Sequence, residues 1–260
     1  MLIQPLLTQL HELRLTGMAA ALEQQLATHE ASALAFEDRL GLLIQHELSH
    51  RSTSRLAQRL RWARLPITAC LEDLDTRTPR GLTAAQLAQI TDLAWIPQHL
   101  NVLICGPTGV GKSFLASALA HAACRADYVV RCFRLPRLVD ELARHAALHK
   151  RSTFFRQLAK VDLLVLDDFG ITPLSDTLAR DLLEIIDDRY DRRATLITSQ
   201  LPLDQWHAYL GDRTVADAIL DRLVHNAYKL SVQGDSMRKR ASAAARRAPT
   251  PGPNVDRTGK

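Results

Sequence analysis

Residues 104–113 read ICGPTGVGKS, and their side chains suit one task. Gly106, Pro107, Thr108, Gly109, Val110, Gly111, Lys112 and Ser113 follow a short apolar run and precede a helix-forming stretch, FLASALAHAACR. Glycines at this spacing let backbone N–H groups turn inward around a phosphate, and a helix beginning there adds positive potential. Lys112 is expected to reach the outer phosphates of a nucleotide, and the Ser113 hydroxyl to bind Mg²⁺. A chance glycine-rich turn does not come with a strand before it and a helix after it. The expected ligand is ATP with Mg²⁺.

A second acidic contact for the metal is offered by LLVLDDFG, a buried-strand pattern ending in Asp167 and Asp168. Acids at the carboxyl end of such a strand face the crevice where ligands sit in open sheets. Asp167 is assigned to the magnesium side and Asp168 to the attacking water, which it would orient or deprotonate. Helix capping explains one such aspartate better than it explains both. A further run ends in Thr198, Ser199 and Gln200, small polar groups beside the γ-phosphate if that strand neighbours the phosphate-loop strand. Downstream lie Arg213, Arg222 and Arg238. A guanidinium at a subunit edge can reach a neighbour's γ-phosphate. The same spacing equally fits an Arg222 paired with Asp217, Asp221 or another surface acid.

These groups need a scaffold, and the chain changes character near residue 85. Before it the pattern is helical. Leu15, Met18, Ala19 and Leu22 share one face, extended by Leu26, and Phe36, Leu40, Leu43 and Ile44 form another stripe, with Leu48 beyond. The pattern predicts helices from about 33 to 48 and from 52 to 65, the last ended by Pro66. TRTPRG, 76–81, reads as a linker. After it, strand-like runs at 100–105, 128–133, 161–167 and 194–199 alternate with helical stretches, and 227–232 can close the sheet. This is an α/β pattern, a parallel sheet covered by helices on both faces. Residues from about 238 onward are basic, Pro-containing and poor in large apolar side chains, as in a disordered tail.

Composition narrows the partners. Seven basic and one acidic side chain fall in residues 236–260, and the rest of the chain is balanced to within one charge. Polyanion binding must therefore rest on a local pattern. One exists: residues 48–71 contain no acid and five arginines, Arg51, Arg55, Arg59, Arg61 and Arg64. The first three are spaced to share a helical face, Arg61 and Arg64 widen it, and all five are expected to contact duplex DNA through phosphates. A solvated face would normally mix signs. The four cysteines are scattered, no apolar run is long enough for a bilayer, and the first residues lack a secretory pattern, so a cytoplasmic protein without membrane contact is expected.

In order along the chain, GPTGVGKS, LLVLDDFG, TLITSQLP and ADAILDRLVHNA followed by GDSMRK resemble the IstB-like helper ATPases of insertion-sequence transposition. These are AAA+ proteins related to the helicase loader DnaC. The resemblance implies a small all-helical N-terminal domain at 1–80, a P-loop AAA+ ATPase domain at 81–240 and a basic tail at 241–260. It implies ATP-dependent homo-oligomers on duplex DNA that deliver a target site to a cognate transposase. Carried over by motif, Lys112 and Ser113 hold phosphates and Mg²⁺, and Asp167 and Asp168 are the acid pair. Ser199 and Gln200 match the γ-phosphate sensor, Arg222 the arginine finger and Arg238 a second sensor. Asp168 stands where many such ATPases place Glu, one methylene longer, which implies slow hydrolysis. The rival readings are a helicase loader of the DnaC type, a small-molecule kinase and a non-hydrolysing clamp. The sequence shows no basic lid for the kinase.

Overall fold

The computed structural model describes residues 3–28, 34–76 and 78–237. The expected tail at 241–260 lies outside them, as does Arg238. The chain forms two compact units, 1–62 and 63–260. The domain boundary expected at residue 80 falls inside the second.

The first unit is helical, with α1 (Ile3–Glu12), α2 (Thr16–Ala27) and most of α3 (Phe36–Ala63). Gly17 lets α2 approach α3 closely: a Cβ there would lie 2.7 Å from His50 Cβ and 2.9 Å from Glu47 Cα. Glu47 is buried at this crossing, where it accepts the Met18 N–H at 3.0 Å and Arg51 Nε at 2.6 Å. Burial raises the Glu47 carboxyl, but these hydrogen bonds outweigh it and hold the group below its ordinary value. The two helices expected between 33 and 65 are one continuous helix. No Gly or Pro interrupts Ser49-His50-Arg51, and the helix stops only where Arg64 turns left-handed (φ 53°), two residues before Pro66. Phe36, Leu40, Ile44 and Leu48, expected as a packed stripe, are exposed in the single chain.

In the second unit, α4 (Ala84–Thr91) opens with a capping box between Thr83 and Gln86. Then come β1 (Asn101–Cys105), α5 (Lys112–Arg125), β2 (Val130–Arg134), α6 (Leu135–Ala147), α7 (Arg151–Lys160) and β3 (Leu163–Phe169). The chain continues with α8 (Asp176–Arg189), β4 (Ala194–Ser199), α9 (Trp206–Leu210), α10 (Arg213–Val224) and β5 (Ala227–Ser231). The five strands lie in the order β2-β3-β4-β1-β5, every pair parallel. Almost every residue of β1, β3 and β4 is buried, which is why these runs read as continuous apolar rather than alternating. β4 sits between β1 and β3, with Ser199 opposite Cys105, so the carboxyl ends of three strands converge on the loop after β1. At the end of β3, Phe169 packs on Trp206 and Tyr209, ring centroids 4.5 and 5.2 Å away.

Within the segment read as a linker, Arg80 and Gly81 are pinned to the chain that follows β5. Arg80 is buried, its carbonyl accepts Gln233 N–H at 2.8 Å, and Gly81 (φ 74°) lies against the Ser231 carbonyl.

Candidate nucleotide site

The loop between β1 and α5 is walled by the chain that follows β5. Val232 N–H donates to Cys105 O and Met237 N–H to Gly109 O, both at 2.8 Å. Gly106 (φ 152°) leaves no room for a side chain, because a Cβ would run into the Val232 carbonyl. Gly109 (φ 88°) is similarly closed by Ser236. Gly106→Ala therefore forces the loop away from β5. It is expected to destabilise the fold by about 3 kcal/mol, read as a lowered urea midpoint.

Gly111 (φ 99°) is the N-cap of α5, which leaves the first N–H groups of that helix available at the loop. Lys112 is buried and its Nζ donates to Pro107 O at 2.9 Å, folding the side chain back across the loop. Ser113 Oγ donates to Asp167 Oδ1 at 2.8 Å, and Thr198 Oγ1 donates to the same oxygen. Asp167 is 1 % exposed, and its Oδ2 has no hydrogen-bond partner among the described residues. Arg134 Nε stands 4.0 Å from that oxygen, too far for a hydrogen bond, and a buried carboxylate oxygen without a donor favours a further positive ligand. Ser113 Oγ and Asp167 thus fit a magnesium ion, which prefers one or two protein oxygens beside phosphates and water.

Asp168 follows at a break in the β3–β4 register, with left-handed backbone (φ 62°) and its N–H on Thr198 Oγ1 at 3.2 Å. The irregularity turns its side chain away from the buried position of Asp167 and leaves it partly exposed. A cavity of about 570 Å³ opens over these groups, with Lys112, Ser113 and Asp168 among its walls. Cys105, which ends β1, is no ready nucleophile, because burial, against the attraction of Lys112, pushes its thiol up to about 11.

Not every expected site residue faces this cavity. Gln200 lines it, accepting the Thr108 hydroxyl at 2.6 Å and so tying the end of β4 to the phosphate loop. Ser199 does not. It is fully buried, its Oγ donating to Phe169 O at 2.7 Å and accepting Leu201 N–H at 3.0 Å. Thr198, one residue earlier, is the member of that trio in contact with the acid pair. Arg222 lies in a separate crevice beside Tyr190 and Asn226, its Nε on Asp187 Oδ1 at 2.6 Å. The pairing is with an acid of α8 rather than with Asp217 or Asp221.

The arginine stretch is also modified. Arg51 uses its Nε on Glu47, one residue before the acid-free window begins. Arg55 and Arg61 are exposed, and Arg59 is partly so. Arg64 lies beyond α3, 3.5 Å from Glu141.

Two arginines at the cavity escaped sequence reasoning. Arg134 ends β2 opposite Asp167, its Nε 4.0 Å from Asp167 Oδ2 and 3.9 Å from Asp168 Oδ2. A basic residue closing the strand next to the acids was the available signal. Arg80 had none, since it sits in a segment with the composition of a linker.

A parallel sheet of this order, a phosphate loop after β1 and two acids closing β3 define a P-loop ATPase domain of the AAA+ type. The profile of the family described as IstB-like ATP binding protein matches residues 8–245, and the chain belongs to that family. It is 47 % identical over 239 residues to insertion sequence ATP-binding protein y4pL of Sinorhizobium fredii, covering 92 % of this chain and 98 % of the relative. It is also 47 % identical over 206 residues to the IS1162 ATP-binding protein of Pseudomonas fluorescens, covering 78 % and 88 %. Among solved structures, DnaI superposes with TM-score 0.52 at 22 % identity, over 64 % of this chain and 92 % of that one. The DnaC helicase loader gives 0.50 at 22 %, over 61 % and 95 %. At this identity the likeness shows the fold alone. No helix among the described residues is long and apolar enough to cross a membrane.

Proposed function

We propose that this ATPase assembles on duplex DNA in the cytoplasm as an ATP-dependent homo-oligomer and assists its cognate transposase by delivering a target site. The observation that carries the reading is the placement of Arg222. It lies outside the cavity that holds Lys112, Ser113 and Asp168, which is consistent with a finger that serves the nucleotide of a neighbouring copy. The exposed stripe of Phe36, Leu40, Ile44 and Leu48 supports association between chains. The exposed arginines of α3 support sequence-independent contact with DNA phosphates.

Lys112 and the loop N–H groups bind the phosphates. Mg²⁺, when bound, neutralises charge on the outer phosphates, and Ser113 and Asp167 would hold it. Asp168 takes a proton from the attacking water. Thr108 and Gln200 link the γ-phosphate region to β4, and Arg238 acts as the second sensor. Bound ATP holds neighbours together and hydrolysis releases them.

Sizing the full chain with duplex DNA in ATP, ADP or no nucleotide tests this. A large DNA-bound species in ATP that shrinks in ADP is expected. In that assay Arg51, Arg55 and Arg59 changed together to Ala lowers the slope of affinity against salt by about 0.9 for each phosphate no longer neutralised. A monomer indifferent to DNA and nucleotide ends the reading.

A further inference from the structure

We propose that Arg80 is a nucleotide-binding residue, a second cation beside Lys112 for the polyphosphate of the bound nucleotide. The inference rests on the ATP site described above. Arg80 is 8 % exposed and lines the same cavity as Thr108, Gly109, Gly111 and Lys112. Its guanidinium lies against the N-cap of α5, where a Cβ on Gly111 would be 3.0 Å from Nη1.

The charge is unmatched among the described residues. No carboxylate of theirs lies within ion-pair distance of Arg80, and of five N–H donors only one is engaged, by the Asp75 carbonyl. The Asp75 carboxylate itself serves the Thr78 N–H and hydroxyl.

Arg189, a more deeply buried arginine of this unit, is the contrast. It gives its donors to Thr195 Oγ1 and to the carbonyls of Leu158, Val161 and Ala194. That arginine is satisfied internally and needs no ligand. Arg80 is instead a largely buried side chain whose unused donors open onto the cavity, beside a helix N-terminus that itself attracts anions. A guanidinium presented in this way is ready to meet an anionic ligand. It is also held in place: Gln233 N–H on the Arg80 carbonyl and Met237 N–H on Gly109 O, both 2.8 Å, fix arginine and loop against the same strand exit. Phosphate oxygens, rather than base or ribose, are what a guanidinium at the N-terminus of α5 recognises.

The test compares binding of ATP, ADP, inorganic pyrophosphate and adenosine to the full-length parent, Arg80→Gln and Arg80→Lys, with melting of each protein free of nucleotide. Arg80→Gln is expected to weaken ATP and ADP roughly tenfold to a hundredfold, as for loss of a charged hydrogen bond. Pyrophosphate weakens in parallel and adenosine is unchanged. Arg80→Lys recovers part of the affinity, and the nucleotide-free glutamine variant melts no lower than the parent. The proposal is overturned if Arg80→Gln unfolds or melts lower without nucleotide, if ATP affinity stays within twofold, or if adenosine weakens with ATP. Lys112→Ala is the separate control for the site: ATP binding unchanged in that variant would overturn the phosphate-loop reading itself.

Discussion

Asp168→Asn is expected to bind ATP as the parent does and to lose turnover by about 10²–10⁴-fold, the usual contribution of general base catalysis. The substitution is mild structurally. Asparagine tolerates the left-handed backbone that Asp168 adopts (φ 62°), and the Thr198 hydroxyl bonds the backbone N–H rather than the carboxylate. What disappears is a negative oxygen able to accept a proton from water, together with the charge of the half-exposed pair with Arg134. Equilibrium binding of ATP and steady-state release of ADP separate the two effects. Normal turnover with normal ATP binding would remove Asp168 from the chemistry. An equal loss of affinity and rate would instead place it in nucleotide binding.

Arg222→Ala should cost about 10³–10⁵-fold in turnover, the range for an arginine that stabilises transition-state charge in trans. Nucleotide affinity of the isolated chain should stay as it is. The resting partner of Arg222, Asp187, is no obstacle, since that side chain is 59 % exposed and Arg222 is 29 % exposed. A pair of this kind contributes about 0–1 kcal/mol, so releasing it to meet a phosphate is inexpensive and its loss changes stability little. Mixing Arg222→Ala with Lys112→Ala gives mixed interfaces in which one chain supplies the nucleotide and the other the arginine. Partial rescue of ADP release is expected. Absence of rescue at every ratio, or a large drop in melting temperature with turnover intact, would make Arg222 a strut.

The phosphate loop was legible in the sequence because local spacing alone marks it. The spacing of Gly106, Gly109, Gly111 and Lys112 is set within eight residues, although Val232 and Met237 complete the loop's wall, and Asp167 follows from a strand that can only be buried. The parallel sheet was equally plain, since strands covered on both faces cannot alternate. Three readings needed the tertiary structure. Ser199 and Thr198 are neighbours of similar chemistry, and only the β3–β4 register decides which one meets Asp167. The long helix α3 was divided because its apolar stripe fades after Leu48, whereas its backbone has nothing to break it. Arg80 was hidden because a Pro-Arg-Gly stretch looks the same whether it drifts in solvent or is pinned by Gln233, far along the chain.

The closing of Gly106 by Val232, and of Gly109 by Ser236 and Met237, bears on the order in which the protein acquires competence during synthesis. The ribosome delivers residues 106–113 long before 232–237, an interval on the order of ten seconds at ordinary elongation rates. A nascent chain can bury β1, β3 and β4 in that time while its nucleotide cradle still lacks a wall. The full geometry of the loop is therefore complete only once residues 232–237 have been made and have paired with Cys105 and Gly109.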